Sequence, residues 1–148
     1  MRYASTGAMQ DFLDCRSRRH EFVTTPDGVR LSVREWGDPA GRPILFIHGV
    51  VQSHLAFLRQ FAAAELKGYR LVAYDCRGHG ESDKPADPAF YQDHLRWAGE
   101  VQAVIDGMAL DHPILVGWSM GGRIIGQYLT VHGDRHLSGI HLVSARVI

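Results

Sequence analysis

Cysteine is scarce in this sequence. Its 148 residues include only Cys15 and Cys76, and two separated cysteines do not make the disulfide framework of small secreted domains. We therefore expect a protein of a reducing compartment, with the cytoplasm as the default location. Long apolar runs are also absent: nothing approaches the roughly 20 residues of a membrane span, and the start has arginines but no apolar stretch of signal-peptide length. The sequence therefore predicts no membrane contact.

An excess of charge of either sign is also lacking. Sixteen Lys and Arg residues balance sixteen Asp and Glu residues, which disfavours nucleic acid or an anionic surface as a partner and favours a small, neutral or weakly charged ligand. The composition, 45% hydrophobic and 22% charged, suits one packed domain. We predict a poorly ordered tail or short extra helix over residues 1–19, and the domain over residues 20–148.

The hydrophobic pattern predicts an α/β fold. Apolar residues alternate on either side of the turn Pro26-Asp27-Gly28, which indicates an N-terminal β-hairpin. Later apolar segments alternate between strand and helix patterns, which implies a mostly parallel sheet with helices on both faces. We predict strands over 43–47, 69–74, 113–116 and 140–143, a loop over 75–88, and helices over 53–66 (with Ser53 as N-cap), 90–108 and 120–131.

The segment Gly117-Trp118-Ser119-Met120-Gly121-Gly122 matches G-x-S-x-G and lies between a predicted strand and a predicted helix. In that setting the serine occupies a tight turn that exposes its hydroxyl as a nucleophile. Glycine is required because a side chain at Gly117 or Gly121 would collide with neighbouring backbone. A glycine-rich turn whose serine only caps a helix is the alternative interpretation. Trp118 can line a pocket or belong to the core.

Two backbone amides are candidates for stabilising an oxyanion near this serine. The Met120 amide begins the predicted helix, where unpaired N–H groups and the helix dipole favour negative charge. His48 and Gly49 end the earlier buried strand, and the loop after it is expected to supply a second amide, from Val50. These positions predict a two-amide oxyanion hole facing Ser119.

Four segments together resemble the α/β-hydrolase superfamily, and within it the group of cofactor-free haloperoxidases and related esterases. They are His48-Gly49-Val50, the stretch from Tyr74 to Ser82, the Ser119 turn, and Gly139 to Ser144. The resemblance implies hydrolysis of small carboxylic esters or acids by acyl transfer through Ser119, without a cofactor or metal. Perhydrolysis would use the same residues with peroxide as acceptor.

The sequence departs from its relatives in two informative places. Val50 stands where relatives often have an aromatic residue, so its amide can serve but the pocket wall would differ. Fluoroacetate dehalogenases and epoxide hydrolases use an aspartate where this sequence has Ser119, and we therefore set their chemistry aside. Cys76 lacks a comparable turn and is not expected to be a nucleophile.

The resemblance places the catalytic base beyond residue 148, so none of the nine histidines is its counterpart. His48 is expected to be structural, with its ring bonded to nearby loop backbone, and His79 to stabilise its turn. Asp75 precedes the serine, whereas the order in this fold is serine, acid, histidine. We expect Asp75 to accept hydrogen bonds from Arg77 or neighbouring amides. No histidine pair has a convincing metal-ligand spacing.

The resemblance also implies that this is an incomplete core, without the cap, the last strands, the acid and the histidine of relatives. A truncated sequence, an excised part of a longer protein and a half-protein completed by another chain would each explain this. We expect little activity from residues 1–148 alone, and self-association through the exposed last strand. A non-catalytic small-molecule-binding module, or an inactive fragment of the same fold, is the alternative function.

Overall fold

The computed structural model describes residues 16–145. Most of the tail predicted over residues 1–19 therefore lies outside the described residues. The first strand begins at Arg19, and the Arg18 amide already donates to the Glu35 carbonyl at 2.7 Å. Arg18 and Arg19 therefore already take part in the pairing of the first strand. No helix within residues 16–145 is long and apolar enough to cross a membrane.

Six strands form one mixed sheet in the order β1-β2-β4-β3-β5-β6. The strands are β1 Arg19–Thr24, β2 Arg30–Gly37, β3 Pro43–Ile47, β4 Arg70–Tyr74, β5 Ile114–Trp118 and β6 Gly139–Val143. β2 is antiparallel to β1 and β4, and the remaining pairs are parallel. The α/β class and the N-terminal hairpin are therefore confirmed.

The helices cover the sheet on both faces but are more broken than the sequence predicts. They are α1 Leu58–Ala62, α2 Ala89–Gln92, α3 His94–Gly107 and α4 Met120–His132, with 3-10 turns at His54–Phe57 and Ala64–Leu66. The continuous helices predicted over 53–66 and 90–108 are wrong. Ala63 is extended and ends α1, and Asp93 is extended and accepts from the Leu95 amide at 2.8 Å, so it starts a new helix as an N-cap. Ser53 is the predicted cap, accepting from the Leu55 amide.

Strand β3 is apolar at every position because both of its faces are buried. Its alternate side chains enter two separate cores. Leu45 and Ile47 pack with residues of α3 and α4 on one face, whereas Ile44 and Phe46 pack on the other. That second core also holds Trp36, Phe57, Phe61, Leu71 and Ala73. The β3 strand is thus the centre of the molecule, and its carboxyl end is fixed from both sides.

Strand β6 is the least covered strand of the sheet. Ile140, Leu142 and Val143 are each about 40% exposed, and no strand within residues 16–145 pairs with the free edge of β6. On the face opposite α4, a groove of about 490 Å³ crosses β3, β5 and β6. Apolar residues such as Phe46, Phe57, Val116, Trp118 and Val143 line it. This side of the sheet is therefore open and apolar.

Arg77 ties three distant segments together through buried charge. Its guanidinium donates to Asp27 in the β1-β2 turn at 2.8 Å and to Glu100 on α3 at 2.5 Å, and it also donates to the carbonyls of Phe90 and Arg96. The side chains of Arg77 and Glu100 are completely buried. Since a buried guanidinium needs partners for each N–H group, this cluster holds the hairpin, the loop after β4 and helix α3 in one arrangement.

The two carboxylates of this cluster respond differently to burial. Burial opposes ionisation of Asp27, but hydrogen bonds from Arg77 and Thr25 lower its pKa to about 2. Burial dominates at Glu100 and raises its pKa to about 7, against the attraction of Arg77. The Oε2 atom of Glu100 is buried without a hydrogen-bond partner among the described residues, which fits the larger penalty there.

Glu100 should make stability fall as the pH rises. A folded pKa of about 7 against an ordinary value of 4.5 means that the folded state holds the proton more tightly, so stability is lost between these two values as the pH increases. The substitution Glu100→Gln removes this titration. We expect urea unfolding to show the variant gaining ~1–3 kcal/mol on the wild type between pH 5 and pH 8. The exposed Glu65→Gln is the control. A gap that stays constant with pH would contradict the assignment.

Exposure of β6 predicts self-association of the chain. An apolar edge strand pairs with further strands, and a charge placed on it discourages pairing. We expect light scattering to show concentration-dependent association, and Ile140→Lys to reduce it. Val131→Lys is the matched control, because Val131 is equally exposed but lies on α4. A stable monomer at all concentrations would refute this expectation.

Candidate active site

Ser119 lies in the single-residue turn between β5 and α4. Its backbone has φ +53° and ψ −112°, a left-handed conformation that L residues other than glycine rarely adopt. Two backbone bonds hold it there: the Ser119 amide donates to the Val143 carbonyl at 3.1 Å, and the Gly122 amide donates to the Ser119 carbonyl at 3.0 Å. The residue is exposed. The turn therefore presents a serine hydroxyl at the carboxyl edge of the sheet.

Glycine is required on both sides of this turn by close backbone approach. A Cβ atom at Gly117 would lie 2.7 Å from the Gly121 carbonyl carbon, and one at Gly121 would lie 2.0 Å from the Ile47 carbonyl oxygen. A Cβ atom at Gly122 would meet the Ala145 Cβ at 2.2 Å. The collisions expected from the sequence are therefore present in the structure.

The two residues that flank Ser119 lie on opposite faces of the sheet. Trp118 is half-buried and packs against the second core, where it also lines the open groove. Met120 is half-buried against the first core and lines a small cavity of about 120 Å³ with Tyr91, Trp97 and Arg123. The Met120 amide belongs to the first turn of the 13-residue helix α4, where backbone N–H groups have no helical partner.

The loop after β3 lies directly against Ser119. A Cβ atom added at Gly49 would be 3.4 Å from the Ser119 Cβ and from the Trp118 ring. Val50 follows and is mostly exposed, and Val51 adopts φ +59°. The structure therefore brings together the segments that carry the two candidate amides, those of Val50 and Met120.

His48 is completely buried and uses both ring nitrogens on backbone groups. Its Nε2 accepts from the Cys76 amide at 2.9 Å, so Nδ1 carries the hydrogen that is donated to the Gly49 carbonyl at 2.7 Å. Burial lowers the pKa of His48, and the nearby His79 lowers it further. His48 is thus a neutral ring that joins the loop after β3 to the loop after β4.

Asp75 is bonded to the loop after β3 and to its own loop. Its Oδ1 accepts from the amide and the ring Nδ1 of His54, at 2.7 and 2.9 Å, and its Oδ2 accepts from the Glu81 amide. Burial opposes ionisation of Asp75, but these bonds lower its pKa. Of the two alternative donors expected from the sequence, the neighbouring amides are the ones present. The Arg77 guanidinium donates to Asp27 and Glu100 instead.

The structure contains several side-chain contacts around the site that are not predicted from the sequence. Glu100 falls on the apolar stripe of its helix between Trp97 and Val104, and a charge there indicates a buried ionic partner. The sequence around Asp27 indicates only a turn. The bond of His54 to Asp75 and that of the Val51 amide to His79 had no sequence signal, because they join separate loops.

Other candidate chemistries find no support in the described residues. Burial raises the pKa of the Cys76 thiol well above its ordinary value, which disfavours the reactive thiolate. Within residues 16–145, no group of three or more His, Cys, Asp or Glu residues is placed to hold a metal ion.

The fold and this serine turn define the class of the protein. A family model described as the alpha/beta hydrolase fold matches residues 42–147, and the chain belongs to that family. It is 34% identical to a non-heme haloperoxidase of Rhodococcus erythropolis, over 84% of this chain and 43% of that protein. The solved structure of a putative aryl esterase from Burkholderia cenocepacia is 46% identical, with a TM-score of 0.85 over 86% of this chain and 47% of that one.

Relatives of different activity are similar to the chain at comparable levels. An epoxide hydrolase of Caballeronia sordidicola is 35% identical, over 78% of this chain and 34% of that protein. Overall similarity therefore does not separate esterases from epoxide hydrolases. The chain spans less than half the length of these relatives.

The substitution Gly121→Ala should destabilise the protein. Its Cβ would lie 2.0 Å from the Ile47 carbonyl oxygen, and backbone on both sides leaves no flexible group to move. We expect a loss of about 3 kcal/mol in urea unfolding. Gly139→Ala is the matched control, because nothing lies within 4 Å of its added Cβ, and it should change stability by less than about 1 kcal/mol. Equal effects would show that α4 can move away from β3.

Proposed function

We propose that the chain carries the nucleophile of a serine hydrolase that cleaves carboxylic esters by acyl transfer. The observation that carries the proposal is the strained backbone of Ser119, at φ +53°, in a turn where glycines let helix α4 and strand β3 approach closely. Strain of this kind persists where the surrounding structure enforces it, and it concentrates at functional sites. A serine that merely caps a helix would have extended backbone, and Ser119 makes no side-chain cap bond.

The reaction would run through two tetrahedral intermediates. The Ser119 hydroxyl oxygen attacks the ester carbonyl carbon, and the alcohol leaves with a proton as the acyl-serine forms. Water then attacks the acyl group and releases the carboxylic acid and free Ser119. The amides of Met120 and Val50 would hold the oxyanion in both steps, since preorganised donors stabilise charge that develops in the transition state. The dipole of α4 adds to this effect.

Ser119 needs a general base, and the histidines near it are otherwise engaged. Both ring nitrogens of His48 and of His79 are used in bonds to backbone. His54 is bonded to Asp75 at the end of β4, and β3 lies between β4 and β5, a lateral separation of about 10 Å at the usual strand spacing. We therefore propose that the base and its acid come from outside these 148 residues, and that the chain alone has little activity.

The proposed substrate follows from the balanced charge of the chain, and the proposed acceptor of the acyl group follows from its similarity to relatives. The balanced composition favours a small, neutral or weakly charged ester. Perhydrolysis would use the same serine and amides with peroxide in place of water, and the similarity to a non-heme haloperoxidase supports it as a variant of the proposed reaction. A non-catalytic module that binds a small ligand beside Ser119 is the competing proposal, and the engagement of His48, His54 and His79 in other hydrogen bonds favours it.

Fluorophosphonate labelling separates these proposals. We would compare the 148-residue chain with a chimera that continues after Ile148 with the C-terminal half of the Burkholderia cenocepacia relative. We expect the folded chimera to label at Ser119, read by peptide mass spectrometry, and the short chain to label at least about a thousandfold more slowly, because an unassisted serine is a weak nucleophile. Ser119→Ala in the chimera is the control.

Two outcomes would contradict the proposal. A folded chimera that does not label at Ser119 would favour the binding module. Rapid hydrolysis of p-nitrophenyl acetate by the short chain, abolished by Ser119→Ala, would show that these residues already contain a base.

A further inference from the structure

We propose that His79, in its neutral form, is the brace that fixes the loop Gly49–Val51 beside Ser119. His79 would be a positioning residue for the oxyanion amide of Val50, and in this respect the inference rests on the proposed function. The brace itself is a property of the fold that can be tested without any activity.

Val51 has a backbone that needs an external support. It is a β-branched residue at φ +59°, a conformation that such residues strongly disfavour. Its side chain is 85% exposed, so packing does not hold it. Its amide donates to His79 Nε2 at 3.1 Å. This bond joins the loop after β3 to the loop after β4.

The partners of His79 determine where its hydrogen lies. Its Nδ1 is 2.9 Å from the Arg77 carbonyl oxygen, and a carbonyl only accepts, so Nδ1 carries the hydrogen. Nε2 then has a free lone pair and can accept from the Val51 amide. Both contacts require the neutral Nδ1–H tautomer of His79. The Arg77 carbonyl, which accepts from Nδ1, is itself held in place because the Arg77 side chain forms buried ion pairs.

Val50 is fixed from both sides by two histidines. The Gly49 carbonyl accepts from His48 Nδ1, and because a peptide unit is planar, fixing that oxygen also fixes the direction of the Val50 N–H. His79 fixes the next peptide unit through the Val51 amide. Without His79, Val51 is free to relax toward an extended conformation, and the Val50 peptide loses its second support.

Protonation of His79 would break the brace, since Nε2 would become a donor facing another donor. Several titratable or charged groups lie around His79. The His48 ring centroid is 5.1 Å away, and Asp75 and His54 lie near that ring. Arg77 directs its guanidinium to Asp27 and Glu100, and Lys84 bonds to the carbonyls of Gly80 and Ser82.

Nuclear magnetic resonance can detect the N–H···N bond directly. At neutral pH we expect a scalar coupling between the Val51 amide nitrogen and His79 Nε2, together with the nitrogen shifts of an Nδ1–H tautomer. When His79 is protonated, the coupling should vanish and the protection factor of the Val51 amide, which is corrected for the slower intrinsic exchange in acid, should fall at least tenfold. An Nε2–H tautomer at neutral pH, or a Val51 amide indifferent to His79 protonation, would overturn the proposal.

Variants separate a brace from a general effect on folding. His79→Ala should deprotect the Val51 amide, whereas His79→Gln should restore protection, because its side-chain oxygen can occupy the acceptor position. Val51→Gly removes the steric penalty at positive φ, so His79→Ala should matter less in that background, as a double-mutant cycle would show. His94→Ala, at an exposed position at the start of α3, is the control. Equal deprotection by the Ala and Gln variants would contradict an acceptor role.

The chimera connects the brace to the serine. There we expect His79→Ala to lower the maximal rate of fluorophosphonate labelling at Ser119 about tenfold or more while changing the half-saturating concentration little, because oxyanion donors act in the transition state. If the chimera does not label but the bond is seen by resonance, the proposed function fails and the brace stands. If labelling proceeds at the wild-type rate in His79→Ala, the positioning role is refuted.

Discussion

The candidate site depends on a close backbone contact: the first turn of α4 lies against the ends of β3 and β5 with no side chain between them. Gly117 and Gly121 make this approach possible, since an added methyl group at either would overlap backbone atoms. Ser119 is thereby held at positive φ with its hydroxyl at the sheet edge. The same approach puts the amides of α4 beside the loop that follows β3. One steric constraint thus determines the position of both the proposed nucleophile and the proposed oxyanion donors.

Hydrogen bonds between the loops after β3 and β4 then fix the arrangement that the glycines make possible. His48, His79 and Asp75 each join the loop after β3 to the loop after β4. Arg77 anchors the second of these loops to the hairpin and to α3 through Asp27 and Glu100. Since buried polar groups are costly without partners, these loops have few alternative arrangements. This edge of the sheet, which carries the proposed site, therefore has a defined geometry although it consists of loops.

The elements that local pattern controls could be predicted from the sequence. Three such elements lie where the sequence predicts them, because each depends on only a few neighbouring residues. They are the apolar strand β3, the glycines on both sides of Ser119 and the turn at Pro26-Asp27-Gly28. The break at Ala63 has no sequence signal, because an apolar stripe continues across it. The break at Asp93 does have one, because aspartate is a preferred N-cap residue, but the apolar stripe on both sides outweighed it. The partners of Arg77 were missed for a different reason: Asp27 and Glu100 lie 50 and 23 positions away, and nothing local selects them over Asp75.

The strand order has a consequence for how the site comes into being. The first four strands of the sheet occupy residues 19–74 and pair among themselves, so a scaffold can form from nearby segments. Strand β5 must then join β3, with Leu115 opposite Leu45. Because Leu45 already pairs with Val72, the chain still to be closed is the 43 positions from 72 to 115, which include α2 and α3. Closing so long a loop is entropically costly and slow. We therefore expect the strained turn at Ser119 to form late, on a framework already in place, so that the proposed nucleophile acquires its geometry only when the most distant pairing among the described strands has formed.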